Sequence, residues 1–255
     1  MWIDKLINIE NIKINKIPTY IIYPKNYKDK MPVIFFYHGW SSDKTKHINL
    51  GSFLACNGYL VVIPDSINHG ERGLINYSDL NVGLTQFWPT VINSLNEFPL
   101  ILNYIRSNYQ IDENRIGVTG HSMGGMITSG IISQNPCVSS AVIMNGSGAW
   151  ADATIELIGT QYENQKEYID KGLKDLNPII PINNIDKFKN KPILILHGEN
   201  DSIVPIHSSK LFYNTLKNVY DNKENVNMLT FDRLNHYVTE SMISEMLSWF
   251  QKHLI

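Results

Sequence analysis

Ile116-Gly-Val-Thr-Gly-His-Ser-Met-Gly-Gly125 is the stretch that decides the fold. A short apolar run leads into a serine flanked by glycines, and the residues that follow are compatible with a helix. A serine can sit on so tight a strand-to-helix turn only if its neighbours two positions away lack side chains. The pattern therefore predicts a nucleophile elbow at residues 120–124, with Ser122 exposed at the sheet edge. An ordinary glycine-rich turn is the alternative.

The same turn would help to stabilise negative charge on a bound substrate. The first N–H groups of a helix have no partner within it, and its N-terminus is partly positive. The backbone N–H of Met123 is therefore one expected oxyanion donor. Trp40 is expected to supply the other, because His38-Gly39-Trp40 directly follows the apolar strand at residues 32–37 and Gly39 permits a close approach. His38 itself is expected to be a hydrogen-bonded structural histidine.

The composition fits one α/β domain and argues against nucleic acid as a partner. The chain has 255 residues, 43% of them hydrophobic, which is enough for a substantial core. Its 22 basic and 24 acidic residues give a net charge of −2 and form no basic stripe. The N-terminus does not resemble a signal peptide and no apolar run has membrane-spanning length. A cytoplasmic protein without a membrane partner is the expectation.

The cysteines do not indicate a metal or redox site. Cys56 and Cys137 lack the spacing that such sites need, and each lies in an apolar neighbourhood. Two buried free thiols are therefore expected, and no metal or cofactor.

Strands and helices alternate along the chain as in a mostly parallel central sheet with helices on both faces. Residues 6–14 and 17–23 predict an antiparallel strand pair at one edge. A long helix is expected to begin at Trp88-Pro89, after a connection at residues 74–87 without a clean period. Residues 145–191 exceed a simple crossover and predict a small helical cap insert over the strand ends, within one domain of residues 1–255.

A serine hydroxyl needs a base to take its proton and an acid to orient that base. Asp201 lies in the turn after a buried strand, and His236 lies between the last strand and the terminal helix. Both therefore fall at the sheet edge where Ser122 lies. The order Ser122, Asp201, His236 is the one expected of α/β-hydrolases.

Each assignment has a rival. Glu199 or Asp232 could supply the acid, but Asp201 lies deeper in its turn. His236 is favoured as the base because the other candidate histidines lie at strand ends, at a helix start or at the terminus. These are His38, His121, His197, His207 and His253. His121 is expected to point away from the nucleophile. In the polar loop after the strand at residues 59–64, Asp65, Glu71 and Arg72 are expected to pair with one another as a structural brace.

Together these motifs resemble the α/β-hydrolase family over nearly the whole chain. They are Gly120-His-Ser-Met-Gly124, His38-Gly39-Trp40, Gly198-Glu-Asn-Asp201-Ser-Ile-Val-Pro205 and Asn235-His236. Within this family, Gly198-x-x-Asp201-x-x-Val-Pro205 and Pro64-Asp-Ser-Ile-Asn-His-Gly-Glu-Arg72 are most similar to bacterial esterases of the prolyl-oligopeptidase-like and dienelactone-hydrolase-like branch. The resemblance implies a cofactor-free hydrolase of small carboxylic esters. Ser122 stands where dienelactone hydrolases carry cysteine, and no propeller precedes the domain, which argues against dienelactones and peptides as substrates.

Two functional classes fit this pattern. One is a serine hydrolase of esters, with peptide or thioester cleavage as a variant, and the other is a binding protein that keeps the fold without turnover. The complete set of serine, acid, base and oxyanion donors favours the first. Short acyl chains are expected, because Trp40, Trp88 and Trp150 would crowd the pocket and the middle of the insert, residues 163–174, is heavily charged.

Overall fold

Eight strands form one sheet in the part of the chain that the computed structural model describes, residues 5–27, 29–188 and 191–254. They are β1 (Ile7–Ile14), β2 (Ile17–Pro24), β3 (Met31–Tyr37), β4 (Leu60–Pro64), β5 (Ile111–His121), β6 (Ser140–Met144), β7 (Ile193–Gly198) and β8 (Val226–Phe231). Their spatial order is β1-β2-β4-β3-β5-β6-β7-β8. The β1–β2 and β2–β4 pairs are antiparallel and the rest are parallel. The start and end of the expected domain and residues 189–190 of the expected insert lie outside the described ranges.

Helices cover both faces of this sheet. They are α1 (Ile48–Cys56), α2 (Leu80–Asn108), α3 (Met123–Gln134), α4 (Trp150–Ile158), α5 (Tyr162–Leu176), α6 (Ile206–Val219) and α7 (Glu240–His253). Buried side chains of α2, α3 and α6 pack on one face, and those of α1 and α7 pack on the other. The mostly parallel α/β architecture is therefore as the sequence predicts.

The central strand β3 shows why its sequence is continuously apolar. Val33 and Phe35 point into the core beneath α2 and α3, whereas Ile34 and Phe36 point into the core beneath α1 and α7. Successive side chains of a strand point to opposite faces, and here both faces are dry. The parallel register with β5 places the end of β3 beside the end of β5, where Tyr37 pairs with Gly120.

Helix α2 begins eight residues before the predicted start, at Leu80 rather than Trp88. The Asp79 side chain caps it by accepting hydrogen bonds from the N–H groups of Asn81 and Val82, at 2.8 and 3.2 Å. Pro89 therefore lies inside the helix and removes one backbone hydrogen bond there. The connection expected at residues 74–87 is in part the first two turns of α2.

Two helices, α4 and α5, occupy the segment between β6 and β7. Gly159 joins them with a φ of 56°, in the left-handed region that favours glycine. Along α5 the charged side chains are exposed, whereas Ile169 and Leu176 are buried. The charged middle of this segment is thus the outer face of an amphipathic helix.

The cysteines are less buried than the sequence suggested. Cys56, the last residue of α1, is exposed, because Leu54 and Ala55 are the residues that face the core, and Cys137 is half-buried. Among the described residues, no helix is both long enough and apolar enough to cross a membrane.

Candidate active site

Ser122 occupies the turn between β5 and α3 in a strained conformation. Its φ and ψ are 59° and −119°, which residues other than glycine rarely adopt. The flanking glycines are required by close contact: a Cβ on Gly120 would lie 2.4 Å from the carbonyl oxygen of Gly124, and one on Gly124 would lie 1.9 Å from that of Tyr37. The turn is fastened to β6 by a 2.9 Å hydrogen bond from the Ser122 N–H to the Met144 carbonyl.

Asp201 and His236 are in direct contact. His236 Nδ1 lies 2.7 Å from Asp201 Oδ2, and Oδ1 accepts hydrogen bonds from the N–H groups of Ile203 and Val204 at 2.9 and 2.8 Å. Burial raises the pKa of Asp201, but the hydrogen bonds from His197 and His236 outweigh burial and hold this pKa well below its usual range. The ionised carboxylate accepts a hydrogen bond from Nδ1 of His236, so Nε2 is the ring nitrogen that this contact leaves available.

The two other candidates for the acid, Glu199 and Asp232, have other partners. Glu199 is exposed and accepts a hydrogen bond from Thr230 Oγ1 at 2.7 Å. Asp232 is 76% exposed and pairs with Arg233.

Asn235 secures the loop that carries His236. Its Oδ1 accepts hydrogen bonds from the N–H of His236 at 2.8 Å and from the N–H of Ser202 at 2.9 Å. Because Ser202 directly follows Asp201, this one side chain ties the acid's turn to the base's loop. Asn235 is part of a motif in the sequence, but nothing in the sequence pattern predicts this role.

His121 faces the base instead of pointing away. Its ring contacts that of His236 at an angle of 41°, with the centroids 4.7 Å apart, and its Nε2 has no hydrogen-bond partner in the described ranges. Burial lowers the pKa of His121 to about 3, so the ring stays neutral at neutral pH. The residue next to the nucleophile therefore holds the base over the same turn.

Ser122 and His236 are brought to one place without being joined. Among the hydrogen bonds of the described residues, none links the Ser122 hydroxyl to His236. In unliganded enzymes such hydrogen bonds are often long and tighten only when substrate binds.

Two histidines hold the backbone on either side of Trp40. His38 Nδ1 donates to the Gly39 carbonyl at 2.9 Å, and its Nε2 accepts from the N–H of Ser66 at 3.1 Å. His69 Nε2 accepts from the N–H of Ser41 at 3.3 Å. Burial lowers the pKa of His38 to about 3 and also lowers that of His69, so both rings remain neutral. His38 is thus the hydrogen-bonded histidine that the sequence predicts, whereas the role of His69 was not foreseen.

The turn that carries Trp40 lies against the nucleophile. A Cβ on Gly39 would lie 3.4 Å from the Cβ of Ser122. The N–H groups of Trp40 and Met123 form no hydrogen bond with any other group in the described ranges. In a trans peptide the C=O and N–H point in opposite directions, so His38 fixes the Trp40 N–H by binding the Gly39 oxygen.

A buried lysine, rather than Arg72, completes the brace of the loop after β4. Lys44 is 1% exposed and its Nζ contacts both Asp65, at 3.3 Å, and Glu71. Arg72 instead pairs with Glu97, at 2.7 Å. The three residues do contact one another, since the Glu71 N–H donates to Asp65 Oδ2 and Arg72 Nη1 donates to the Asp65 carbonyl oxygen, both at 3.1 Å. The prediction is wrong about the ion pairs, because the turn at residues 41–44 inserts Lys44 between the two carboxylates.

A cavity of about 690 Å³ opens beside Ser122. Its walls are mainly apolar and come from the oxyanion turn, the first turns of α2 and the inner faces of α4 and α5. They include Trp40, Leu80, Leu84, Phe87, Trp88, Ile158, Ile169, Leu173 and Leu176. Cavities of this size hold typical small organic ligands.

Of the three tryptophans expected in the pocket, Trp40 and Trp88 line the cavity. Trp150 does not, because it is fully buried beneath Trp88, where its Nε1 donates to Ser129 Oγ at 3.1 Å. The described residues contain no group of three or more His, Cys, Asp or Glu side chains suited to a metal ion.

Comparisons with known proteins agree with this geometry. The sequence profile of the prolyl oligopeptidase family matches residues 51–255. Esterase YjfP of Escherichia coli is 27% identical over 98% of this chain and 100% of its own length, and YitV of Bacillus subtilis is 27% identical with the same coverage. TT1662 of Thermus thermophilus superposes with a TM-score of 0.80 at 17% identity, over 96% of this chain and 97% of that one. The predicted α/β-hydrolase fold is confirmed.

Proposed function

Since the chain belongs to the prolyl oligopeptidase family and is a serine hydrolase, we propose that it cleaves carboxylic esters with an apolar acyl group of medium length, using Ser122, His236 and Asp201. The observation that carries the reaction is the Asp201–His236 contact at 2.7 Å beside a serine held at a φ of 59°. The observation that carries the acyl group is the apolar cavity at Ser122.

The groups act in a fixed order in this mechanism. Ser122 Oγ attacks the ester carbonyl while His236 Nε2 takes its proton, and Asp201 stabilises the resulting imidazolium. The N–H groups of Trp40 and Met123 bind the oxyanion. His236 then returns the proton to the leaving alcohol, which leaves an acyl-enzyme on Ser122. A water molecule, activated by His236 in the same way, hydrolyses this ester and releases the acid.

The shape of the cavity supports a longer acyl chain than the sequence suggested. That expectation assumed a charged wall, but Lys171 and Asp175, the charged residues of α5 that border the cavity, are exposed to solvent, and Ile169, Leu173 and Leu176 give this wall an apolar surface. Each methylene buried against such a wall contributes about 0.8 kcal/mol, or roughly a fourfold gain in kcat/KM. We therefore expect kcat/KM to rise from acetyl to hexanoyl or octanoyl esters.

A series of p-nitrophenyl esters from acetyl to dodecanoyl tests the acyl preference. Acetyl esters of alcohols of increasing length are the control, because they show whether the cavity holds the alcohol instead. A maximum at acetyl to butyryl would contradict the proposal and support the short-chain expectation. Aminoacyl-naphthylamides in the same panel report any peptidase activity, and turnover of these above that of every ester would overturn the assignment to esters.

Fluorophosphonate labelling tests the nucleophile. We expect one covalent label on the folded wild-type protein, no label on Ser122→Ala, and kcat in that variant reduced by several orders of magnitude. Ser133→Ala is a matched control, because this buried serine of α3 bonds only to its own helix, at Gly130. Absence of label on wild type would favour a binding protein without turnover.

Asp201→Asn and Glu199→Gln then separate the two candidate acids. An amide at position 201 cannot stabilise an imidazolium and favours the wrong tautomer of His236, so we expect kcat to fall by about 10³ to 10⁴. Glu199→Gln should stay within a few-fold of wild type. Equal losses in the two variants would contradict the assignment of Asp201.

A further inference from the structure

His197, on β7, is a buried titratable side chain that this mechanism does not use. Its ring is 0% exposed. Nε2 lies 2.8 Å from the carbonyl oxygen of Val204 and 3.4 Å from Asp201 Oδ2. Nδ1 lies 3.0 Å from Ser209 Oγ on α6. The ring therefore contacts the same carboxylate oxygen, Asp201 Oδ2, as His236 does.

The contacts of His197 continue into a chain that ends on a second carbonyl. Ser209 Oγ lies 2.7 Å from the carbonyl oxygen of Gly146, which is buried and accepts no other hydrogen bond from the described residues. Carbonyl oxygens can only accept, so a hydrogen must lie on Nε2 toward Val204 and on Oγ toward Gly146. The remaining contact, Nδ1 to Oγ, then needs a hydrogen on Nδ1.

A neutral ring cannot supply these hydrogens. With its hydrogen on Nε2, either the Nδ1 and Oγ lone pairs face each other at 3.0 Å or the hydroxyl turns to Nδ1 and leaves the buried Gly146 oxygen unpaired. With its hydrogen on Nδ1, the Nε2 lone pair faces both the Val204 oxygen and the Asp201 carboxylate. Each arrangement leaves a buried polar group unsatisfied, which destabilises the fold.

We propose that His197 is held as an imidazolium ion, a buried counter-ion that shares Asp201 Oδ2 with His236. A buried charge is tolerated when it is paired and hydrogen-bonded, and here Asp201 supplies the charge while Val204 and Ser209 supply the acceptors. This inference rests on the proposed function, because it gives His197 a role in positioning and tuning the acid of the triad. His197 would touch neither substrate nor Ser122, so it is a positioning residue.

Such a charge would set the pH at which the base becomes available. The titratable groups that face the ring are Asp201 and, beyond it, His236 and His121; α6 presents the Ser209 hydroxyl and the loop after β6 presents the Gly146 carbonyl. A cation beside Asp201 offsets part of the carboxylate's charge and so opposes protonation of His236. Removing it makes that protonation easier, and the acid limb of kcat/KM moves to higher pH.

His197→Gln tests this in the full chain, since glutamine keeps an N–H donor and lacks the charge. We expect the acid limb to move up by about one pH unit. Ser209→Ala removes the acceptor of Nδ1 and should move the limb in the same direction. Ser208→Ala is its matched control on the same helix, because that hydroxyl bonds only to the Pro205 carbonyl. Acid limbs within about 0.2 pH units of wild type in both His197→Gln and Ser209→Ala would overturn the proposal.

The wild-type protein gives a direct readout that does not depend on turnover or on the folding of His197→Gln. In ¹⁵N–¹H spectra of its imidazoles, the His197 ring, assigned by its response to Ser209→Ala and not to Ser208→Ala, should carry hydrogens on both nitrogens between about pH 5 and pH 8. A ring with one unprotonated nitrogen overturns the inference even in an active enzyme. Retained activity in Ser122→Ala would instead overturn the proposed function and leave this spectrum to be judged separately.

Discussion

One hydrogen bond at His38 decides where a backbone N–H points. Its Nδ1 holds the Gly39 oxygen at 2.9 Å, and the same peptide unit carries the N–H of Trp40. Loss of a direct oxyanion donor lowers kcat about 10²- to 10³-fold in well-studied hydrolases. We expect His38→Phe, which keeps a ring and loses both hydrogen bonds, to lower kcat at least about tenfold.

Two further variants are measured with His38→Phe: His38→Gln as a partial rescue and His207→Ala as a control. Glutamine can still donate to the Gly39 oxygen, so His38→Gln should recover part of kcat, with KM changed less than kcat in both variants. His207 is 74% exposed and contacts only Glu156, so His207→Ala should behave as wild type. Wild-type kcat in His38→Phe would show that the Trp40 N–H is not an oxyanion donor.

The sequence was sufficient to place residues whose position follows from chain order, and insufficient for contacts that depend on side-chain direction. Asp201 and His236 could be named because each follows a strand of a parallel sheet. His69 and His121 could not be assigned, because their contacts with Ser41 and with the His236 ring arise from loops that meet only in the folded chain. The feature of the sequence that could have indicated a role for His69 is its position in a polar loop at the end of a strand.

Among the elements, α5 shows how a charged sequence can form an apolar wall. Leu173 lines the cavity, whereas the adjacent Lys174 is exposed. We expect Leu173→Asp to lower kcat/KM for the hexanoyl ester about tenfold, because a carboxylate on that wall must be desolvated beside the acyl chain. The acetyl ester should lose far less. Both are measured on the p-nitrophenyl series.

Lys174→Asp is the matched control for this helix. It introduces the same side chain one position away, on the exposed face, and its chain-length profile should overlay that of wild type. If Leu173→Asp also left the profile unchanged, the acyl group would not lie along α5.

The boundaries of elements were harder to predict than their existence. The first turns of α2 bear Leu80, Leu84 and Phe87, which have helical spacing but line the cavity rather than the core. Because Trp88-Pro89 is a common way to open a helix, the sequence placed the start there. Asp79, a residue type that commonly caps helices, was the signal in the sequence for the earlier start.

At the scale of the whole molecule, one buried and two half-buried histidines tie stability to pH. Burial lowers the pKa of His38 and His121 to about 3 and that of His47 to about 4. Below the unfolded value of about 6.5 the unfolded chain takes up protons that the folded chain refuses, so stability falls as the pH falls. The loss stops only below the folded values. We expect the free energy of unfolding to drop by a few kcal/mol between about pH 7 and pH 5.5.

Urea unfolding at several pH values measures this dependence. His47→Phe, which keeps a ring against Phe36, should flatten the slope by roughly one third, whereas His207→Ala at an exposed site should leave it unchanged. A free energy of unfolding that stays constant between about pH 7 and pH 5.5 would show that these rings are protonated in the folded protein.

The left-handed backbone at Ser122 has a consequence for how this protein can evolve. A non-glycine residue at a φ of 59° and a ψ of −119° stores strain on the order of 1 to 2 kcal/mol. Ser122→Gly should therefore be inactive and yet unfold at a higher temperature than Ser122→Ala in calorimetry. Equal melting temperatures would mean that the elbow is unstrained. If the difference is found, a mutation of Ser122 to glycine would make the protein more stable and inactive at once. Only continued selection for turnover then keeps the serine in place.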